Sequence, residues 1–200
     1  MDKIDSLDKI NAFVSDIRSL RKGYLTNFFL DRKKHSLWIE KGELFYVSFP
    51  DCYFLLHLTN SVNNLFFITT TSQQLAENLK AFLPIFAEQM VVDIVGDAKI
   101  VDLKDVFVEQ GFSVYEQLYR MNRIGTLEFK EIDTPNVCFA EDVDAQVVLD
   151  MLHSYFDPLS EQLPSYEEIL YFISQKSVLV YKEAGKVYGF VIFELNGQTL

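Results

Sequence analysis

The residues in this chain whose types could support chemistry are few and scattered. His35, His57 and His153 are isolated, with no His-x-x-x-His pair and no His/Cys cluster, so their spacing offers no metal site. His153 closes a helical pattern, where interaction with the helix dipole accounts for it. Cys52 and Cys138 sit in separate apolar runs and outside any Cys-x-x-Cys pair; they read as buried, reduced thiols of a cytosolic protein. Glu167-Glu168 resemble paired carboxylates, but Ser165-x-x-Glu168 reads better as a capping box. The run Asp31-Arg32-Lys33-Lys34 could hold an anion or form a solvated loop. Glycines occur at 23, 42, 96, 111, 125, 185, 189 and 197, never as Gly-x-Gly. Neither a Walker loop nor a Gly-x-Ser-x-Gly elbow is present.

Charge narrows the partners. Residues 1–125 carry 14 basic and 16 acidic side chains, whereas residues 126–200 carry 4 and 13. The net charge of −11 is therefore concentrated in the C-terminal third, a poor surface for nucleic acid, whose phosphates require Lys and Arg. Such a surface serves solubility or attracts a cationic partner. No apolar run approaches the roughly 20 residues of a membrane span. Met1-Asp2-Lys3-Ile4-Asp5 has neither a basic start nor an apolar core, so no secretory signal is expected and the cytoplasm is the expected location. With 49% apolar and 14% aromatic residues, the 200-residue chain can fill a sizeable core as one large domain or two small ones.

The elements that must position any site follow from periodicity. Ile4, Leu7, Ile10, Phe13, Ile17 and Leu20 predict a helix over 4–21, capped by Gly23. Residues 36–71 read as a meander of strands: Leu37-Trp38-Ile39, a turn at Lys41-Gly42-Glu43, Leu44 to Phe49, a turn at Pro50-Asp51, Cys52 to Leu58, and Leu65 to Thr69. Leu75, Leu79, Phe82, Leu83 and Phe86 predict a helix that Ser72 can cap. A strand over 90–95, a helix with Ile100, Leu103, Val106 and Phe107, a break at Gly111-Phe112 and a strand over 113–122 follow. That alternation implies parallel pairing with crossover helices. Residues 126–136, with Thr, Pro and mixed charge, read as a linker between a domain over 1–125 and another over 137–200. The second begins with the strand 137–140, a helix with Val143, Val147, Val148, Met151 and Leu152, and a loop Ser154 to Leu159. A helix from Ser165 and strands over 177–182 and 186–195 complete it.

The segment His35 to Tyr46 aligns with Lys176 to Tyr188: each reads as a strand ending in Lys, a turn carrying Gly and an aromatic-rich strand. Each follows a helical region, which points to two copies of one unit in tandem.

Residues 137–200 resemble the first half of a GNAT-family acyltransferase domain, in which a strand, two helices and an antiparallel hairpin precede the acyl-CoA site. Tyr155-Phe156-Asp157-Pro158 and Leu163-Pro164-Ser165 stand in the helix–helix connection, and Gly189-Phe190-Val191-Ile192-Phe193 resembles the family's third strand. The N-terminal part is similar to a divergent copy, with Glu109 to Tyr115 and Leu118 to Met121 like the family's closing helix and strands. The resemblance implies a mixed α/β fold, a central sheet with antiparallel and parallel pairs flanked by helices. It also implies transfer of an acyl group from acetyl-CoA, or another acyl-CoA, to an amine of a small molecule or peptide. In that chemistry the amine attacks the thioester, a carboxylate or water chain takes its proton, and a Tyr often protonates the departing thiolate.

On that resemblance, Glu194 is a candidate general base or amine anchor, or else an edge carboxylate in solvent. Tyr155, Phe156 and Asp157 either line the acceptor pocket or form a capped turn with buried aromatics. The family's pyrophosphate loop, Gln/Arg-x-x-Gly-x-Gly/Ala after the fourth strand, offers backbone N–H groups at a helix N-terminus and needs glycine for close approach. The corresponding stretch in the N-terminal copy is Thr70-Thr71-Ser72-Gln73-Gln74, without glycine; in the C-terminal copy it falls after Leu200. The chain alone is therefore expected to bind no cofactor and to be inactive. The alternative is a non-catalytic binding or interaction module, and an open sheet edge near Leu200 could support self-association.

Overall fold

A computed structural model of the chain describes residues 1–95, 100–118 and 134–193, with backbone alone at 100 and 101. The described residues form a mixed α/β structure with antiparallel sheets and six α-helices. The chain divides into two units, Met1–Tyr115 and Glu116–Leu200. The predicted linker over 126–136 lies largely outside the described residues.

In the first unit, β1 (Asp2–Lys3), β3 (Leu44–Phe49), β4 (Cys52–Leu58), β5 (Asn63–Thr69) and β2 (Leu25–Thr26) lie side by side in that order, every pair antiparallel. Alternation along the strands sends Leu44, Leu55, Phe66 and Ile68 to one face. There they pack with α1 (Leu7–Ser19), through Ile10, Phe13 and Ile17, and with α2 (Arg32–Lys41), through Trp38. The opposite face sends out Phe54, Leu56, Leu65 and Phe67, which are covered by α3 (Ser72–Phe82) and α4 (Ile100–Glu109). Phe54 stacks on Phe82 with ring centres 4.7 Å apart, a contact of the kind that adds to area burial.

Several predicted elements change here. Leu37-Trp38-Ile39 is helical, inside α2, and so are Arg32 to Lys34, read from sequence as a loop. Asp31 caps this helix by accepting from the Lys33 and Lys34 amides, and Gly42, at φ 72°, ends it. Three apolar residues in a row carry no period of their own, and the two caps decide the matter. α1 starts at Leu7 because Ile4 donates its amide to Leu44 O, continuing the β1–β3 pairing. Arg21, at φ 54°, takes the left-handed position past the helix end that Gly23 was expected to fill. The expected strand over 90–95 contributes one parallel bridge, Val91 with Asn64. Residues 112–118 form no strand, and 119–122 lie outside the described residues. The parallel crossover arrangement is thus replaced by an antiparallel meander.

The second unit follows its predicted order. It comprises β6 (Val137–Phe139), a 3₁₀ turn at Asp142–Asp144, α5 (Ala145–Tyr155), α6 (Tyr166–Ser174), β7 (Val178–Glu183) and β8 (Lys186–Ile192). The strands pair antiparallel in the order β6-β7-β8. Val178, Val180 and Val187 on the sheet pack with Val148, Leu152, Ile169 and Ile173 on the helices. The predicted capping box at Ser165 is present, Ser165 Oγ accepting from the Glu168 amide and Glu168 accepting from that of Ser165. Cys138 is exposed rather than buried, because β6 is a three-residue edge strand with all its residues in solvent.

One pairing pattern occurs in both units. Ile4 N donates to Leu44 O as Ala140 N does to Val178 O. α2 ends with Gly42 N to Ile39 O and Glu43 N to Trp38 O; α6 ends with Lys176 N to Ile173 O and Ser177 N to Phe172 O. Gly42 and Lys176 both have positive φ. Phe45 opposes Leu56 as Leu179 opposes Val191, and Leu58 N to Glu43 O matches Phe193 N to Ser177 O. Gly42 therefore corresponds to Lys176, not to Gly185. The segment His35 to Lys41 is a helix and does not match the strand beginning at Ser177, which corrects the alignment read from sequence.

Two measurable consequences follow. His35 is buried against Phe28 and Trp38, and burial, aided by the neighbouring Lys34, lowers its pKa from 6.5 to about 4. The unfolded chain takes up this proton and the folded chain resists it. Stability is therefore complete above about pH 6.5 and falls toward pH 4, by about 3 kcal/mol from this residue. Urea melts followed by Trp38 fluorescence should show that loss, reduced in His35→Gln. Burial likewise raises the Cys52 thiol to about 12, so a folded chain should expose one fast-reacting thiol, Cys138. Thiol titration before and after unfolding checks the count.

Candidate functional site

The place to test for a cofactor in the first unit is the outer edge of β5 and its connection to α3. An extended, amide-bearing ligand arm needs free backbone groups on a strand edge. A diphosphate needs open amides where that strand meets a helix.

The edge is fully occupied. Leu25 and Thr26 pair with Thr69 and Ile68 at one end. The Asn27 side chain then takes the middle: its Oδ1 accepts from Phe67 N at 2.7 Å, and its Nδ2 donates to Leu65 O at 3.2 Å and Asp93 O at 3.0 Å. Thr26 Oγ1 donates to Phe67 O at 2.5 Å. At the far end Leu65 N donates to Val91 O and Val91 N to Asn63 O, both at 2.8 Å. One side-chain amide, with a donor and an acceptor on a planar group, continues the ladder where no strand lies alongside.

The connection is closed as well. Thr71, not Ser72, caps α3: its Oγ1 accepts from Gln74 N at 3.1 Å, and its carbonyl accepts from Leu75 N. Thr70 is buried. Gly23, at φ 124°, packs so tightly on it that an added Cβ would stand 2.6 Å from Thr70 O. That glycine serves close packing of the chain on itself. The β3–β4 turn is tied in too, Thr69 Oγ1 donating to Asp51 O and Asn78 Nδ2 to Pro50 O.

In the second unit, the loop residues singled out from sequence fall at the end of α5. Tyr155 and Phe156 are 71% and 43% exposed. Asp157 organises a turn, its Oδ1 accepting from Leu159 N and its carbonyl from the Ser160 and Glu161 amides. The three are neighbours in a turn, and the aromatic rings face solvent rather than a core. Glu194 lies outside the described residues.

Sequence reasoning missed a different group. Asp144 is buried, accepts from Glu141 N at 2.8 Å and pairs with Lys182 Nζ at 2.7 Å. The hydrogen bond that Lys182 Nζ donates to the Asp144 carboxylate, together with that carboxylate's charge, raises the Lys182 pKa. Glu141 and Asp144 cap each other's backbone ahead of α5, so the carboxylate is held by the turn and the Lys by β7. The spacing Glu141-x-x-Asp144 before a helical pattern was the available signal.

In the first unit His57 lies flat on Trp38, ring centres 3.7 Å apart, with its Nε2 3.2 Å from Glu43 Oε2. Among the described residues, no group of three or more His, Cys, Asp or Glu is placed to hold a metal ion, and no helix is long and apolar enough to cross a membrane. No protein-family model, curated protein or solved structure matches the chain.

Asn27 carries the testable weight of this site. Asn27→Ala leaves the Phe67 donor and the Leu65 and Asp93 acceptors without their partner and should cost about 2–3 kcal/mol in urea unfolding. Asn27→Asp keeps the acceptor but turns a donor into an anion facing two carbonyls, so it should cost at least as much.

Proposed function

We propose that this chain belongs to the acyl-CoA-dependent N-acyltransferase class of the GNAT type, built from two tandem copies of the fold. The acceptor is an amine of a small molecule or peptide. The observation that supports this most is the matched run of strand, two helices and antiparallel hairpin in the two units, bond for bond at the four backbone positions compared above. In the first unit this run continues through a further strand, β5, directly into the N-terminus of α3, the order in which the family places its cofactor loop.

Within that class the first unit is a non-catalytic copy. Asn27 and Val91 occupy the strand edge, and the Thr70–Gly23 contact closes the turn, so an acyl-CoA arm would have to displace the chain's own hydrogen bonds. This favours the second reading, a binding or interaction module, for the first unit taken by itself. Acyl transfer is assigned to the second unit in the presence of a cofactor loop, with Tyr155, Phe156 and Asp157 on the acceptor side and Glu194 as amine anchor or base.

Calorimetric titration of this chain with acetyl-CoA should give no binding heat, and thiol release from acetyl-CoA with a panel of amines should stay at the uncatalysed rate. A micromolar dissociation constant would overturn the assignment of the first unit as a non-catalytic copy.

A further inference from the structure

The seal on the β5 edge is fastened by one imidazole. Residues 27–31 join β2 to α2, and the side chains of Phe29 and Leu30 within them are exposed. The segment is fixed at its start by Asn27 on β5 and by the Phe28 amide, which donates to Thr26 Oγ1 at 2.9 Å. At its other end the Asp31 amide donates to His35 Nδ1 at 3.0 Å. The Phe28 ring stacks on the same imidazole, centres 4.4 Å apart, and meets Phe66 of β5 edge-on at 5.3 Å. One side chain of α2 therefore touches both the neighbour of Asn27 and the residue that caps the helix.

The bond to Asp31 dictates the state of that ring. An amide N–H only donates, so Nδ1 presents its lone pair and the ring proton sits on Nε2. A second proton can be added only at Nδ1, the atom already in use. Imidazolium has no acceptor, so protonated His35 would set two N–H groups against each other. The surroundings do not compensate. The ring is 4% exposed and lies against Phe28 and Trp38. Of the charged and titratable groups around it, Lys34 on the same helix and His57 of β4, which stacks on Trp38, disfavour a cation there. Glu43 is engaged by His57 at 3.2 Å. The Asp31 carboxylate favours the cation, but burial outweighs it.

We propose that neutral His35 is an acid-released latch: a proton on Nδ1 opens residues 27–31 and bares the Phe67 amide and the Leu65 carbonyl of the β5 edge, while the helices and the sheet of the first unit stay folded. Opening carries the ring into water, where it holds its proton at the ordinary value of 6.5. The open state therefore gains on the closed one roughly tenfold for each pH unit below 6.5, until the closed form is itself protonated near pH 4. The inference stands whether or not the protein transfers acyl groups.

Amide hydrogen exchange by NMR on the whole chain, corrected for the intrinsic rate at each pH, reads the opening. The Phe67 amide should lose about twentyfold in protection between pH 7 and pH 5, with little dependence on added urea. The Phe54 and Leu55 amides of the central strand β4 should exchange far more slowly and with a marked urea dependence. His35→Gln, whose Oε1 can accept from Asp31 and does not titrate, should keep the Phe67 amide equally protected at both pH values. His35→Phe, with no acceptor, should leave that amide weakly protected already at pH 7. Unchanged Phe67 protection between pH 7 and pH 5 overturns the proposal. Equal protection and equal urea dependence at Phe67 and Leu55 also overturn it, since the edge would then open only with the whole unit. So does a pH-dependent loss at Phe67 that persists in His35→Gln, or a long-range nitrogen–proton spectrum placing the ring proton on Nδ1 at pH 7.

Discussion

Backbone groups on a sheet edge must find partners or water, and the outer edge of β5 shows how far this chain goes to satisfy them. A two-residue strand, one asparagine side chain and one isolated bridge share a seven-residue edge. The rest of the first unit follows from that closure. Asn27 ties the segment after α1 to β5 and to Asp93, which fixes where the chain must run before α4. Both faces of the sheet are apolar, and α3 and α4 cover the second with Leu75, Leu79, Phe82 and Phe107. Extending the strand and binding a ligand along it are alternatives for the same hydrogen bonds, and this unit has taken the first.

The two units solve the same packing problem to different extents. Each lays a helix pair against one face of an antiparallel sheet, and each ends the second helix with a left-handed residue that turns the chain into the hairpin. At that position one unit uses glycine and the other Lys176, which accepts the strain of a positive φ. The side chains differ at most of the matched positions, while the backbone hydrogen bonds of Ile4 and Ala140, Gly42 and Lys176, Glu43 and Ser177, and Leu58 and Phe193 agree. Backbone geometry therefore carries the likeness, with composition contributing little.

Periodicity made the second unit legible nearly element for element: Val148, Leu152, Ile169 and Ile173 recur with helical spacing, and Val178 and Val180 alternate. The β3–β5 meander and the helix at Leu75 were equally plain. What misled was α2, where Leu37-Trp38-Ile39 has no period and the evidence lay in its flanks, Asp31 and Gly42, ten residues of helix between them. The strand expected at 90–95 is apolar enough, but Asn27 reaches Asp93 O and limits pairing with β5 to Val91. No local pattern announces Asn27 itself. Its role depends on being placed beside Leu65 and Phe67, some 40 residues away along the chain, which only the folded structure specifies. Tyr155 and Phe156 are aromatic residues beside a loop, and they stand in solvent around an Asx turn.

A register shared by two hairpins, from the helix end as far as the shift after Tyr181, has a cost during synthesis and refolding. Over Val178 to Tyr181 a nascent β7 offers the same donor and acceptor series as Leu44 to Val47 of β3, so a strand from one unit can dock on the other's neighbour before its own is available. Side chains provide the discrimination that the ladder cannot. Gly189 in place of Phe54 would leave a ring-sized void beside Phe82, and Phe139 in place of Lys3 would change the edge at β3. These side-chain differences between the units thus act as a proofreading device against domain-swapped misassembly.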